Sequence, residues 1–302
     1  MNRKDLYHGF NEVDDDILER SETSSKSKKK PIWLKWGAIV ACLCLVVGIA
    51  IPVLNHRGGP GSKDPIHDDV APFFYNGCYY ETVDNPEILA IYGLPKKITP
   101  DMAGDHVAYI DVNYDEGFAS LKATPIQTDM ELYMYAPAPS DAVYVYREGE
   151  TYMAAIFCNF EMFDSSNTSY ELTELYRVYN IEAAEDIASI SEVDWHRDKV
   201  IGATVTDQKE ISDFYDMTAA LWSYGNDDFQ KLMFGGYQDE ETQQKAHIAF
   251  ADDSRVLRVE TTSGLRLYIS LHPNFNWMSS SGTMSYYQIN EQMHAWIDRN
   301  LD

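Results

Sequence analysis

The sequence predicts an α+β protein, with a single N-terminal transmembrane helix followed by an extracellular domain of antiparallel sheets and packed helices. Three observations support this class. The only long apolar run without a charge spans residues 36–54. Strand and helix patterns follow it without the regular alternation that is typical of a doubly wound parallel sheet. Over 302 residues the chain is 45% hydrophobic and 13% aromatic, which excludes a wholly disordered chain and is enough for a sizeable core.

The apolar run predicts the anchor and its orientation. It is 19 residues long, close to the roughly 20 that cross the hydrocarbon core of a bilayer. Five lysines lie between residues 26 and 35, whereas only Arg57 and Lys63 follow the run closely. The positive-inside rule then places the N-terminus in the cytoplasm and residues 58–302 outside the cell. The predicted parts are a cytoplasmic tail (1–30), a transmembrane helix (31–55), a Gly/Pro linker (56–66) and an extracellular region (67–302).

Two other interpretations of the apolar run are open. A cleaved signal peptide would need a charged region of about 35 residues and an unusually long apolar core. A lipoprotein is suggested by Ile39-Val40-Ala41-Cys42, which resembles a lipobox, but apolar sequence continues past Cys42 to Leu54. A transmembrane helix explains the whole run better.

The cytoplasmic tail contains one candidate binding surface. Leu6, Phe10, Val13 and Ile17 are spaced so that they form a single stripe on a helix, with the acidic residues mostly off it. Because so short a helix is marginal alone in water, the stripe needs a partner, such as a groove on another protein. The alternative is a disordered tail with chance periodicity.

The first extracellular elements are predicted by local signals. Aromatic runs on both sides of Asn76-Gly77 predict a hairpin. Asn85-Pro86 predicts a helix start, Gly93 and Pro95 predict its end, and residues 98–104 predict a short helical turn. Residues 142–146 and 152–160 predict two strands around a turn, because alternate residues of the second strand are apolar.

Later elements follow the same reasoning. Apolar spacing predicts a helix over 172–179, and residues 199–205 predict a strand. Asp207 and Glu210 predict a capping box on the next helix. Residues 256–271 predict a hairpin, and Asn290 predicts the cap of a final helix. Residues 164–194 contain the tracts at which the region could divide into two subdomains. Two sets of residues are predicted to face inward: Ile211, Phe214, Tyr215, Thr218, Leu221 and Trp222 in the capping-box helix, and Met293, Trp296, Ile297 and Leu301 in the last.

The charge and motif content argue against several functions. With 24 Lys and Arg against 48 Asp and Glu, the net charge is −24, which argues against binding nucleic acid. There is no Gly-rich phosphate loop, serine elbow, zinc-protease helix motif or C-x-x-C pair. Residues 111–117 resemble the start of a calcium loop, but Lys122 stands where Glu is needed. The sequence therefore predicts no catalytic, cofactor-binding or metal-ligating residue and favours a protein that is not an enzyme.

Two residue types leave alternatives open. Cys78 and Cys158 are the only extracellular cysteines and are either bonded to each other or free, with Cys158 in a core. The chain contains 21 Tyr, several of them in adjacent or alternating positions. These tyrosines either mark a binding surface or belong to half-buried strands, and the second interpretation is favoured.

Three segments resemble a known group of proteins. They are residues 6–22 (LYHGFNEVDDDILERSE), residues 33–47 (WLKWGAIVACLCLVV) and residues 92–104 (YGLPKKITPDMAG). They resemble uncharacterised single-pass membrane proteins of clostridia-like Gram-positive bacteria. The resemblance implies a link to extracytoplasmic-function sigma factors, with the chain as an anti-sigma regulator. The zinc ligands of many anti-sigma factors have no counterpart here, because residues 1–30 contain no cysteine.

Three functions are consistent with these observations. The first is a membrane-anchored signalling or regulatory protein, with an external sensing domain and a cytoplasmic tail that binds a partner such as a sigma factor. The second is a cell-surface binding module whose tail has no specific role. The third is an anchored extracellular hydrolase, with a pair of carboxylates that the fold brings together.

Overall fold

The computed structural model describes residues 73–110, 123–124, 130–160, 169–194, 198–237, 239–280 and 285–301. Within this part the chain is α+β, with two antiparallel sheets and six α-helices. The sheet part of the predicted fold class is confirmed. The predicted tail, transmembrane helix and linker lie outside the described residues. None of the helices in the described part is long and apolar enough to cross a membrane.

Seven strands form the first sheet, in the order β1-β2-β7-β6-β5-β3-β4. The sheet curls until β1 and β4, its two edge strands, approach within 8 Å between Cα atoms. The strands are β1 (Phe73–Tyr75), β2 (Cys78–Val83), β3 (Ala103–Ile110), β4 (Ala123–Thr124), β5 (Met130–Tyr135), β6 (Val143–Glu148) and β7 (Thr151–Phe160).

Aromatic side chains fill one face of this curled sheet. Asn76 and Gly77 both have positive φ, at 49° and 79°, as the turn of a two-residue hairpin requires. The turn pairs Phe73 with Tyr80, and their rings stack at 5.6 Å. Tyr144 joins them edge-on, 5.4 Å from Tyr80. All three rings are almost fully buried, which confirms that tyrosine here mainly builds strands.

Six strands form the second sheet, in the order β13-β12-β11-β10-β8-β9. Neighbours are antiparallel throughout, and β10 and β11 are the predicted hairpin. The strands are β8 (Ile187–Asp194), β9 (Lys199–Val205), β10 (Arg255–Thr261), β11 (Arg266–His272), β12 (Trp277–Ser280) and β13 (Ser285–Gln288).

Short polar side chains begin most of the helices. Asn85, Asp207, Asp239 and Asn290 each accept hydrogen bonds from backbone N–H groups of the first turn. The capping box predicted at Asp207 forms only in part, because the Glu210 carboxylate instead binds Arg299 and Asn300. The helices are α1 (Pro86–Ile91), α2 (Leu172–Val178), α3 (Gln208–Ala219), α4 (Asn226–Phe234), α5 (Glu240–Asp252) and α6 (Glu291–Asn300).

Helices cover both faces of the second sheet. Helix α3 contacts α2, α6 and β8, and α4 contacts α5 and β13. The two groups lie on opposite faces, because successive strand residues point to opposite sides. Tyr287 accordingly belongs to the main core, whereas its neighbour Tyr286 belongs to a second aromatic cluster with Phe229 and Phe250. The main core also contains residues of the first sheet.

An ion-pair cluster attaches α1 to the second sheet. The Arg266 guanidinium donates to the carbonyl oxygen of Ala90 at 2.9 Å, and the Tyr268 hydroxyl donates to that of Ile91 at 2.7 Å. Asp198 accepts from Arg266 at 2.7 Å and from Arg258 at 2.9 Å. These two arginines and Asp198 are all less than a quarter exposed.

Most of the predicted elements of the described part are confirmed. The structure contains the hairpins, the strands β6, β7 and β9, and the helices α1, α2, α3 and α6 close to their predicted bounds. The predicted turn over 98–104 contains one short 3-10 turn, Pro100–Met102. Within 164–194, the stretch from 187 onward forms β8, which pairs with both β9 and β10.

Candidate functional site

The candidate site starts where α3 ends. The apolar spacing predicts that Leu221 and Trp222 continue the buried face of this helix. That prediction is wrong for Trp222, whereas Leu221 lies beyond the helix end but packs half-buried against the main core. The helix stops at Ala219, with Ala220 as its C-cap. The Trp222 side chain is 58% exposed. It is the second most exposed large apolar residue of the described part, after Ile201 at 62%.

Backbone pairing holds the segment after α3 in an extended conformation. The Leu172 N–H donates to the Leu221 carbonyl at 3.0 Å, and the Ser223 N–H donates to the Tyr170 carbonyl at 2.9 Å. On the other side the Tyr224 N–H donates to the Tyr286 carbonyl at 2.6 Å. Because neighbours in an extended segment point in opposite directions, Ser223 is buried while Trp222 faces out.

A cleft of about 460 Å³ opens beside Trp222. Its walls are residues 222–225, Ser169 at the start of the α2 segment, Asp228 in the first turn of α4, and Gln288 at the end of β13. The volume lies within the roughly 300–1,000 Å³ that small-molecule sites occupy. Three distant parts of the chain therefore meet at one concave surface.

The cleft stands on a rigid aromatic base. Phe229 stacks on Tyr286, with centroids 3.6 Å apart and the planes 1° from parallel. Trp277 meets Phe229 edge-on at 5.0 Å and the wall residue Tyr224 at 5.1 Å. Within the described residues, the buried Tyr286 hydroxyl and Trp277 indole N–H have no hydrogen-bond partner. Close packing of these rings fixes the backbone that carries Tyr224 and Asp228.

The polar groups of the cleft divide into two kinds. Ser169 is engaged, because its hydroxyl donates to the Ser223 carbonyl at 2.6 Å. The Asp228 carboxylate, the Gln288 amide and the Trp222 indole N–H make no side-chain hydrogen bond or ion pair with other described residues. Some carboxylates elsewhere, such as Glu210 and Asp198, are paired with arginine. The cleft thus presents an aromatic face, one carboxylate and one amide that are available to a ligand.

The arrangement can bind a ligand through its aromatic face and its polar groups. Among the residues lining the cleft, Asp228 is the one carboxylate, whereas glycoside hydrolysis uses two that flank the bond. No group of three His, Cys, Asp or Glu that could hold a metal occurs within the described part of the chain. The calcium-like segment 111–117 lies outside the described residues.

Cys78 and Cys158 are not bonded to each other. Neither cysteine takes part in a disulfide bond, which decides between the two alternatives left open by the sequence. Burial, together with the nearby Glu81 carboxyl, raises the pKa of the Cys158 thiol well above its usual value. Burial also raises the pKa of Glu81. A thiol that stays protonated is a poor nucleophile.

The predicted partner-binding residues Leu6, Phe10, Val13 and Ile17 lie outside the described residues. Sequence reasoning assigned Trp222 to a helix and did not single out Asp228 or Gln288. One local signal was available, because Gly225-Asn226 directly follows Trp222-Ser223-Tyr224 and is a poor helix interior. No local sequence pattern predicts that residues 169, 222–228 and 288 come together.

Comparison with known proteins adds no relative: no protein-family model, no curated protein and no solved structure matches this chain.

Proposed function

We propose that the chain is a membrane-anchored signalling protein whose extracellular domain binds a small ligand in the Trp222 cleft. In this proposal residues 31–55 cross the cell membrane, and residues 58–302 lie outside the cell. The tail, residues 1–30, binds a cytoplasmic partner such as a sigma factor through Leu6, Phe10, Val13 and Ile17. The anti-sigma role is implied by the resemblance alone. The ligand site has support from the fold.

The observation that carries the ligand site is the exposure of Trp222 in a cleft with unpaired polar groups. Fully exposing a large aromatic side chain forgoes burial that is worth roughly 1.5–3 kcal/mol. Here the ring is 58% exposed and lies beside a carboxylate and an amide that no described residue uses. Pockets that combine apolar surface with a few convergent polar groups are typical of ligand sites.

A ligand screen tests the site. The full chain, labelled with 5-fluorotryptophan and held in lipid nanodiscs, is titrated with amines, neutral saccharides, amino acids and short peptides. The resonance that disappears in Trp222→Phe is assigned to Trp222. A ligand of the cleft shifts this resonance and raises the melting temperature by mass action.

Two variants decide whether binding occurs in the cleft. Trp222→Ala should abolish the ligand-induced rise in melting temperature. Ile201→Ala is the matched control, because Ile201 is similarly exposed, at 62%, but lies on β9 and does not line the cleft. If every ligand that binds stabilises Trp222→Ala as much as the wild type, the cleft is not the ligand site.

The cell-surface binding module remains the second candidate, because the same cleft would serve it. The two functions differ only in the tail. Deleting residues 1–30 should abolish a ligand-dependent response in the cell if the chain is a signalling protein. Ligand capture at the cell surface that is unchanged by the deletion, with no response to lose, favours the binding module.

A further inference from the structure

The Trp222 cleft has a charge character that restricts its ligand. Asp228 lines it, and Asp227 precedes Asp228 in the first turn of α4; both are exposed. No Lys or Arg is among the residues lining the cleft. The surroundings have the same sign, because residues 58–302 contain 15 Lys and Arg against 41 Asp and Glu. A positively charged group would therefore be attracted both locally and from a distance.

The aromatic wall of the cleft also favours a positively charged ligand. The face of an indole ring is electron-rich and attracts an organic cation, most strongly for Trp among the aromatic residues. Trp222 exposes more than half of its surface, and Tyr224 forms the adjoining wall. Asp228, in the first turn of α4, lines the same cleft as the Trp222 and Tyr224 rings.

The alternatives fit the lining less well. The N-terminus of α4 would favour an anion, but Asp227 and Asp228 occupy its first turn and repel one. A wholly apolar ligand would leave the Asp228 carboxylate and the Gln288 amide without partners, which is costly once water is excluded. A neutral saccharide would donate hydroxyl hydrogen bonds to the amide and the carboxylate, but it would leave the negative charge of Asp228 without a counter-charge.

We infer that the Trp222 cleft binds the ammonium group of a small organic cation, with the charge between the Trp222 ring and the Asp228 carboxylate. This inference rests on the proposed function and names its ligand class. The Gln288 amide oxygen accepts an N–H bond from a primary ammonium, whereas a quaternary ammonium has no N–H to donate. Gln288 therefore separates the two kinds of cation.

The test compares ligands that differ in charge or in N–H donors. Choline, ethanolamine and the uncharged tert-butyl isostere of choline, in which carbon replaces nitrogen, are titrated against the fluorotryptophan-labelled full chain in nanodiscs. Choline should bind about tenfold or more tightly than its isostere, because only choline carries the charge that the Trp222 ring and the Asp228 carboxylate attract. Gln288→Ala should weaken ethanolamine binding and leave choline binding unchanged.

A matched pair of variants isolates the carboxylate. Asp228→Asn removes the charge that lines the cleft, and Asp227→Asn removes the same charge from the same helical turn without touching the cleft. Choline affinity should fall about tenfold in the first variant and about twofold or less in the second. Thermal melting of both variants shows whether either has lost its fold.

The outcomes separate the inference from the proposed function. Equal affinity for choline and its isostere, equal effects of the two Asn variants, or no binding of either ammonium probe overturns the inference. A neutral saccharide that binds in a Trp222-dependent manner while the ammonium probes do not also overturns it, and leaves the proposed function standing. The ligand site of the proposed function fails if the wider screen finds no ligand that depends on Trp222.

Discussion

Replacing Asp198 by Asn tests whether the ion-pair cluster holds the α1 segment on the second sheet. Asp198 has φ of 45°, a conformation that Asn tolerates nearly as well as Asp. The substitution keeps the size of the side chain and the backbone preference and removes the charge. What remains is a pair of guanidinium groups, those of Arg258 and Arg266, facing an amide in place of a carboxylate.

The expected cost follows from burial and from the groups that remain. Removing one partner of a fully buried ion pair costs about 3–5 kcal/mol. Here the side chain of Asp198 is 19% exposed, and Glu260 stays 3.2 Å from Arg266. Solvent and this second carboxylate both reduce the penalty, so we expect about 2–3 kcal/mol. For a domain of this size the melting temperature should fall by roughly 4–12 °C.

Calorimetry of the full chain in detergent micelles measures the shift, with Asp213→Asn as the control. Asp213 pairs with Lys209 at 2.7 Å, but both side chains are at least 40% exposed, so the control should lose less than about 1 kcal/mol. Hydrogen exchange gives a local readout. The amides of α1 should exchange faster in Asp198→Asn, because Arg266 and Tyr268 bind the carbonyls of Ala90 and Ile91. Equal shifts in the two variants, with unchanged α1 exchange, would refute the reasoning.

Three further predictions concern pH, topology and the tail. Burial lowers the pKa of His272 to about 4, whereas the unfolded chain binds this proton near pH 6.5. The free energy of unfolding should therefore be greatest above pH 6.5 and should fall by roughly 3 kcal/mol towards pH 4. Urea unfolding across this range checks it, and a profile just as steep in His272→Gln would contradict it. Protease added to cells stripped of their wall should digest residues 58–302 and spare residues 1–30; protection of the large region would reverse the topology. Changing Val13 and Ile17 to Asp should weaken binding of a labelled 1–30 peptide to a candidate sigma factor by about a hundredfold, since each buried side chain contributes roughly 1.5–3 kcal/mol. Equal binding by both peptides would leave the tail as a tether.

Elements that depend on neighbours in the sequence could be predicted well. The Asn76-Gly77 turn was predictable because only a few residue types adopt two successive positive φ angles. Asn85, Asp207 and Asn290 were recognised as caps because their side chains satisfy N–H groups two or three residues away. Strands such as β11 were predictable from alternation, since Leu267, Ile269 and Leu271 on one face all belong to the main core.

Elements that depend on distant residues were missed. Helices α4 and α5 bury two side chains each, so few positions mark their core faces in the sequence. They are stabilised by rings from elsewhere, such as Tyr286 under Phe229 and His272 under Phe250. Strands β12 and β13 are four residues long, too short for a clear alternating pattern.

The candidate site shows most clearly the difference between what neighbouring residues determine and what distant residues determine. The sequence by itself determined a helix with an apolar face after Asp207, and the period of that face assigned Trp222 to the helix and to the core. The tertiary structure decided otherwise, because backbone bonds to Tyr170, Leu172 and Tyr286 hold residues 221–224 extended. Those partners lie about 50 to 60 residues away along the chain, beyond the reach of any local pattern. Pairing with them turns the indole outward, and only then do Asp228 and Gln288 meet it across one cleft.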